Sequence, residues 1–313
     1  MKFKDYEYIR PDLDQMEKSF TELLEKFRNA KSATEQSMVI DEVTTLRNYC
    51  KTMVTMARIR HSTNTEDKFY ETEQDFMDKN GPRYEKLVTD YYKELIKSPF
   101  RAELEKEWGE QFFKLAELQI KTFGEEIMEE LVKENKLSTE YDKLIASAQL
   151  DFMGEIRNLS QMRPFMESRD REIRRSAAGK VMSFFEENEK EFDRLYDELV
   201  KVRDSMAKKL GYPNYVPMGY ARLSRTDYDA EMVANYRKQV YESLVPLSEE
   251  LKERQRKRIG VERLTYYDEP LEYVTGNANP KGDPAWIIEN GKKMYHEMSP
   301  ETGAFIDFIT ERE

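Results

Sequence analysis

The sequence predicts a mainly α protein, and three observations carry that expectation. Apolar residues recur at three- and four-residue spacing along most of the chain, 36% of residues are charged against 39% hydrophobic, and only one short stretch near residues 148–158 reads as a strand pair. Such spacing lines one face of a helix with core residues, while the charged remainder keeps the opposite face in water. At 313 residues the chain exceeds one typical domain, which predicts two packed lobes or one long helical body.

In chain order, residues 1–10 mix Phe3, Tyr6, Tyr8 and Ile9 with charges and predict an extended surface arm. Pro11 suits the first turn of a helix whose stripe is Leu13, Met16, Phe20, Leu23, Leu24 and Phe27. Ser32 with Glu35 reads as a capping box for a helix reaching about residue 60. Residues 65–97 predict a third long helix with Phe69, Phe76, Leu87, Tyr91 and Leu95 inward, broken or kinked at Asn80, Gly81 and Pro82. Ser98 and Pro99 predict a cap and helix start, followed by helices over residues 111–134 and 136–147. Leu150, Phe152 and Met153 around Gly154 predict the small hairpin.

Ser168 is then expected to cap a helix carrying Ile173, Ala177, Val181, Phe184 and Phe185. Residues 191–210 repeat the stripe at Phe192, Leu195, Tyr196, Leu199, Val202, Met206 and Leu210, and Gly211 stops it. The next stretch, 210–229, holds Pro213, Pro217, Gly219 and four tyrosines, and predicts an irregular corner suited to lining a cleft. Thr226 is expected to cap a further helix whose buried stripe is Met232, Val233, Tyr236, Val240, Leu244, Leu247 and Leu251, ending near Gly260. Residues 264–283 read as a loop with a short extended piece at 271–274. Asp283 with Pro284, and Ser299 with Pro300, predict two last helices, the second carrying Phe305, Ile306, Phe308 and Ile309.

A formal charge of −11 excludes general nucleic-acid binding, and the basic run at residues 252–258 is offset by Glu249, Glu250 and Glu253. The lone Cys50 lies in a helical stripe and reads as a buried apolar residue rather than a nucleophile. No N-terminal apolar region and no run of about 18 apolar residues is found, which predicts a cytoplasmic protein without a membrane anchor.

Catalytic patterns are missing from the residues. A helical zinc site needs two His one turn apart with a Glu between them, yet the chain has two His in all, and Pro300 stands where a partner for His296 would have to be. His296 reads as a helix-end residue, and His61 as one that follows a helix end. There is no phosphate loop, no nucleophile elbow and no Cys–His pair, and the acidic run from Glu186 to Asp193 reads as a solvated face. No residue is therefore assigned to catalysis or to a metal.

The stretches DFMGEIRNLSQMRPFMESRDREIRRSAAG (151–179), FFEENEKEFDRLYDELVKVRDSMAKKLGYPNYVPMGYARLSRTDYDAEMV (184–233), ERQRKRIGVERL (253–264) and PKGDPAWIIENGKKMYHEMSPETGAF (280–305) closely resemble oligoendopeptidase F, of the thimet-type zinc metallopeptidases. The resemblance implies elongated helical lobes forming one wall of a channel for short peptides. It places residues 1–165 in an N-terminal lobe and 166–313 in the first, incomplete part of the catalytic lobe. It implies zinc in a complete enzyme, polarising a peptide carbonyl while a Glu activates water, but the His-Glu-x-x-His half has no counterpart here. This chain alone is thus expected to bind no zinc and to be inactive. A truncated or split enzyme is expected, completed by a C-terminal half in trans; the alternative is a non-catalytic helical peptide-binding protein. Tyr220, Arg222, Arg225 and Tyr228 are the candidate substrate-channel residues, by the bidentate fork of Arg and the polar tip of Tyr, and knitting the corner together is their other reading.

Overall fold

Side-chain caps and apolar stripes set the helical frame of the computed structural model, which describes residues 2–312. Helix α1 (Leu13–Asn29) starts at Asp12, whose carboxylate accepts from the Gln15 amide at 2.9 Å, so Pro11 precedes the cap instead of opening the helix. It buries the six residues of its predicted stripe. Helix α2 (Ala33–Thr63) starts at Ser32, which accepts from the Glu35 amide at 3.2 Å, while the Glu35 carboxylate accepts from the Lys31 amide at 2.6 Å. That return bond falls one residue earlier than a capping box requires. His61 lies inside the last turn of α2 and is buried, not beyond the helix end.

Helix α3 (Lys68–Ile96) runs through Pro82 without the expected break. Proline removes the amide that would pair with the carbonyl four residues earlier. Asn135 donates to that carbonyl, of Asp78, at 3.2 Å, and so replaces the missing bond. Tyr91 and Leu95 are buried as expected, but Phe69 is exposed. Helix α4 (Arg101–Trp108) starts later than Ser98 and Pro99 suggest, because the Ser98 hydroxyl accepts from the Phe100 amide at 3.0 Å and closes a turn first.

Helices α5 (Glu110–Thr122) and α6 (Met128–Ala146) redraw two expected boundaries. Phe123 and Gly124 are extended, which splits the helix expected over 111–134 and sends Phe123 and Ile127 into a cluster with Met206 and Met218. The separate helix expected over 136–147 is the end of α6. Strands β1 (Leu150–Phe152) and β2 (Glu155–Arg157) form the antiparallel hairpin, its two-residue turn made by Met153 at φ 55° and Gly154 at φ 82°. Left-handed residues at both turn positions match the twist of a tight hairpin.

Helix α7 (Arg163–Met166) is short, and α8 (Arg171–Glu187) is capped by Asp170, which accepts from the Glu172 amide at 2.9 Å. Ser168 instead accepts from Asp170 at 3.2 Å. Helix α9 (Glu189–Lys209) buries Leu195, Val202 and Met206, whereas Tyr196 is exposed. Gly211 at φ 82° ends it, with the Tyr212 amide bonded to the Ala207 carbonyl at 2.9 Å. Helix α10 (Tyr215–Arg222) occupies the corner expected to be irregular, since Asn214 accepts from the Val216 amide at 2.9 Å and Pro217 falls in the first turn.

Helix α11 (Ala230–Gln239) is capped by Asp229, which accepts from the Met232 amide at 2.9 Å; Thr226 bonds Gln111 instead. A π-helical turn at Val240–Leu244 joins α11 to α12 (Val245–Ile259), where it precedes Pro246 and widens the helix ahead of the proline ring. The stripe expected to be buried is not: Met232, Tyr236, Leu244, Leu247 and Leu251 are all exposed, because no element among the described residues covers that face. Residues 264–283 form turns, with no strand at 271–274. Helices α13 (Pro284–Met298) and α14 (Pro300–Thr310) start at Asp283 and Ser299 as expected and pack on each other, with His296 Nε2 3.0 Å from Asp307. Phe305, Phe308 and Ile309 remain exposed.

The chain divides into two compact units. The larger, Arg10–Met162 with Ala177–Leu251, holds a core built by α1 to α5 around Phe20, Phe27, Ile40, Tyr91, Leu95 and Phe113. The smaller is Met1–Ile9 with Arg163–Ser176 and Lys252–Glu313, and a buried ion cluster anchors its loop. Asp268 is 0% exposed and bonds Arg174, itself 2% exposed, at 2.8 Å, and Arg171 at 2.8 Å. Thr265 donates to the same carboxylate at 2.7 Å. Burial pushes the Asp268 carboxyl up, but the bonds from Arg171, Thr265 and Arg174 outweigh it and hold it well below the usual carboxylate range.

Asp268→Asn is therefore expected to destabilise the chain by about 3 kcal/mol, since it strands a buried guanidinium. Thermal or urea unfolding measures it. A depressed folded-state pKa contributes stability that is complete above the unfolded value of about 3.9 and is lost as pH falls through the folded one. The gap between parent and variant should accordingly close in acid, which unfolding midpoints measured on either side of that value will show.

Candidate functional site

The candidate channel residues lie at the C-terminal end of α10 and in the turn that follows. Ser224, at φ 57°, takes the left-handed conformation uncommon for a residue with a side chain, and the Arg225 amide bonds the Tyr220 carbonyl at 3.2 Å. This reversal aims Arg222 and Arg225 at different surroundings.

Arg222 reaches Glu134 of α6 with both terminal nitrogens, Nη1 at 3.0 Å and Nη2 at 2.8 Å. Arg203 of α9 donates to the same carboxylate at 2.6 Å, and the Tyr215 hydroxyl lies 3.2 Å from Arg222 Nη1. Three helices thus meet on one buried carboxylate, whose side chain is 6% exposed. Burial raises the Glu134 carboxyl, yet Arg222 and Arg203 together hold it below its ordinary value.

Arg225 instead stacks on aromatic faces, its guanidinium 4.3 Å from the centroid of Tyr220 and 5.5 Å from that of Tyr228. The four predicted residues are therefore not brought together at one point. Arg222 belongs to an ion cluster, while Tyr220, Arg225 and Tyr228 form a separate stack.

Sequence reasoning missed what Arg222 adjoins. Arg222 and Ser224 line a cavity of about 550 Å³ in the larger unit, whose other walls come mainly from α2, α3, α5 and α6. Glu85, Arg47 and Asp78 reach it from helices whose periodicity showed only a core stripe. Charged residues one and then two turns apart on α2 were the available signal, at positions 47, 51 and 58. Cys50 also touches the cavity, but burial pushes its thiol up to about 11, so it is a poor nucleophile.

Among the described residues no group of three His, Cys, Asp or Glu side chains is placed to hold an ion. His296 pairs with Asp307 and His61 is buried in α2, so the two imidazoles serve separate helices. The side chains of the described residues therefore do not fit a zinc site.

The Peptidase M3 N-terminal domain matches residues 3–123 and Peptidase family M3 matches residues 164–280. Among solved structures, an X-ray structure described as oligoendopeptidase F is 53% identical over 100% of this chain and 55% of its own, with a TM-score of 0.97. PZ peptidase A with an inhibitor is 52% identical over 99% of this chain and 55% of its own, with a TM-score of 0.96. A Bacillus anthracis oligoendopeptidase F is 52% identical over 100% of this chain and 57% of its own, with a TM-score of 0.95. Comparison with curated proteins gave no match.

The helical fold is thus that of the peptidases of this class. The chain belongs to the M3 peptidase family and is homologous to oligoendopeptidase F, spanning a little over half the length of these relatives.

Glu134→Ala is expected to cost about 3 kcal/mol of stability, because it leaves two arginines facing a partly buried site without their acid. Arg222→Lys should cost less, since a single ammonium keeps the charge and loses the fork. Thermal unfolding of the two variants side by side checks the order.

Proposed function

We propose that this chain contributes the N-terminal portion of a zinc metallo-oligoendopeptidase that hydrolyses short peptides. The observation that carries the reading is identity of 52–53% over essentially the whole chain to peptidases of this family, one of them in complex with an inhibitor. On this reading residues 1–165 form an N-terminal lobe and residues 166–313 the first, incomplete part of the catalytic lobe. Short peptides are the substrates, Tyr220, Arg222, Arg225 and Tyr228 belong to the channel wall, and the cytoplasm is the site of action. No helix of the described residues is long and apolar enough to cross a membrane, which is compatible with that location.

The chain by itself does not hydrolyse peptides on this proposal, because the described residues offer no three-ligand set for zinc. In a complete enzyme of this family zinc would supply Lewis-acid polarisation of the peptide carbonyl. The chain's own contribution is a surface. The apolar rows along α11 and α12, and separately on α13 and α14, are exposed, and on this reading the remaining half of a longer relative is the partner that covers them.

Quenched fluorogenic peptides test the proposal. The chain with added zinc should release no fluorescence, and mixing it with a polypeptide matching the remaining length of its longer relatives should restore cleavage. Cleavage by the chain alone would overturn the assignment of chemistry to the other half. Peptide binding without cleavage in the mixture would favour a non-catalytic binding protein.

A further inference from the structure

The cavity of about 550 Å³ in the larger unit is lined by several charged side chains that make no ion pair among the described residues. Along α2, Arg47, Lys51 and Arg58 follow the spacing of one helical face, and all three line the cavity. Among the described residues none of them pairs with a carboxylate, although the chain as a whole carries a formal charge of −11. Arg47 is the most constrained. Its guanidinium lies 5.1 Å from the Tyr92 ring centroid, and its Nε is buried without a hydrogen-bond partner. A buried donor left unpaired costs free energy that a ligand acceptor would recover.

Glu85 lines the same cavity from α3 and has neither a hydrogen bond nor an ion pair in the described structure. The cation nearest in kind, Arg222, is committed to Glu134 through both terminal nitrogens. Burial holds the Glu85 carboxyl above its ordinary value, with Arg222 opposing and Glu134 reinforcing the shift.

A guanidinium that meets only the Tyr84 and Tyr92 hydroxyls and keeps a buried Nε without a partner, and a carboxylate without an ion pair, face one cavity and select among ligands. A plain anion would satisfy Arg47 and be repelled by Glu85, and a plain cation would meet three positive side chains. We propose that this cavity binds a small zwitterion, a free amino acid or a dipeptide, its α-carboxylate held by Arg47 and its α-ammonium by Glu85. The volume lies within the usual range for small-ligand pockets, roughly 300–1,000 Å³. Arg supplies the planar fork that matches a carboxylate, and Lys51 and Arg58 add positive potential along the same wall. The site uses no metal and no residue outside the chain, so it stands or falls separately from the peptidase reading.

Isothermal titration calorimetry on the 313-residue chain in the presence of a chelator tests it, with alanine, alanyl-alanine, N-acetyl-alanyl-alanine and alanyl-alanine amide as probes. Alanine or its dipeptide should bind, and the tighter of the two identifies the source. Capping either end of the dipeptide should weaken binding about tenfold or more, the loss expected for one charge-assisted contact. Arg47→Gln should erase the difference between the dipeptide and its amide, and Glu85→Gln the difference between the dipeptide and its acetylated form, with circular dichroism confirming that both variants fold. The capping comparison needs no substitution. Binding of the acetylated probe as tight as the parent would show a simple anion site, and no binding of either zwitterion would show no site; each overturns the proposal.

Discussion

Glu134 is the carboxylate on which the arrangement around the cavity depends. Its position on α6 brings Arg203 from α9 and Arg222 from α10 to one point, although those arginines lie 69 and 88 residues further along the chain. A buried acid with two arginines and good hydrogen-bond geometry fixes register in a way that apolar packing does not, because sliding any one helix leaves a charge unpaired. The same pairing occupies Arg222, and so leaves Glu85 across the cavity without a cation of its own.

The smaller unit uses a comparable device. Asp268, inside a long non-helical segment, is fully buried against Arg171 and Arg174 of α8, and the Gln255 side chain donates to the Glu269 and Leu271 carbonyls at 2.9 Å each. A segment without regular structure must find partners for its backbone groups somewhere, and here helix side chains supply them. The apolar faces of α11 to α14 follow the opposite rule. They have the periodicity of core helices and are left in water by the residues described.

Helices with strong one-sided stripes were legible in the sequence, as α1 and the cap-and-proline starts of α13 and α14 show. The hairpin was legible too, because Gly154 stands where a two-residue turn needs a left-handed backbone. Misplaced boundaries share a cause. Ser98, Ser168 and Thr226 are all chemically competent caps, and each is used in a neighbouring turn or contact while the helix starts elsewhere. Of the candidate site, the sequence picked out Arg222 by its place in an unusual stretch. It missed Glu134, Arg47 and Glu85, which sit within ordinary amphipathic helices and differ from solvated charges only by what lies opposite them.

By itself the sequence determined the helical class, the hairpin and the family, because periodicity, turn chemistry and long matched stretches are local properties of the chain. Tertiary structure decided the rest. Asn135 keeps α3 continuous past Pro82 by meeting a carbonyl 57 residues away along the chain, and the cavity joins walls from helices far apart in order. Burial and pairing depend on which surfaces meet in space. A one-dimensional pattern shows which face of a helix is apolar, but not whether anything covers it or which charge it faces.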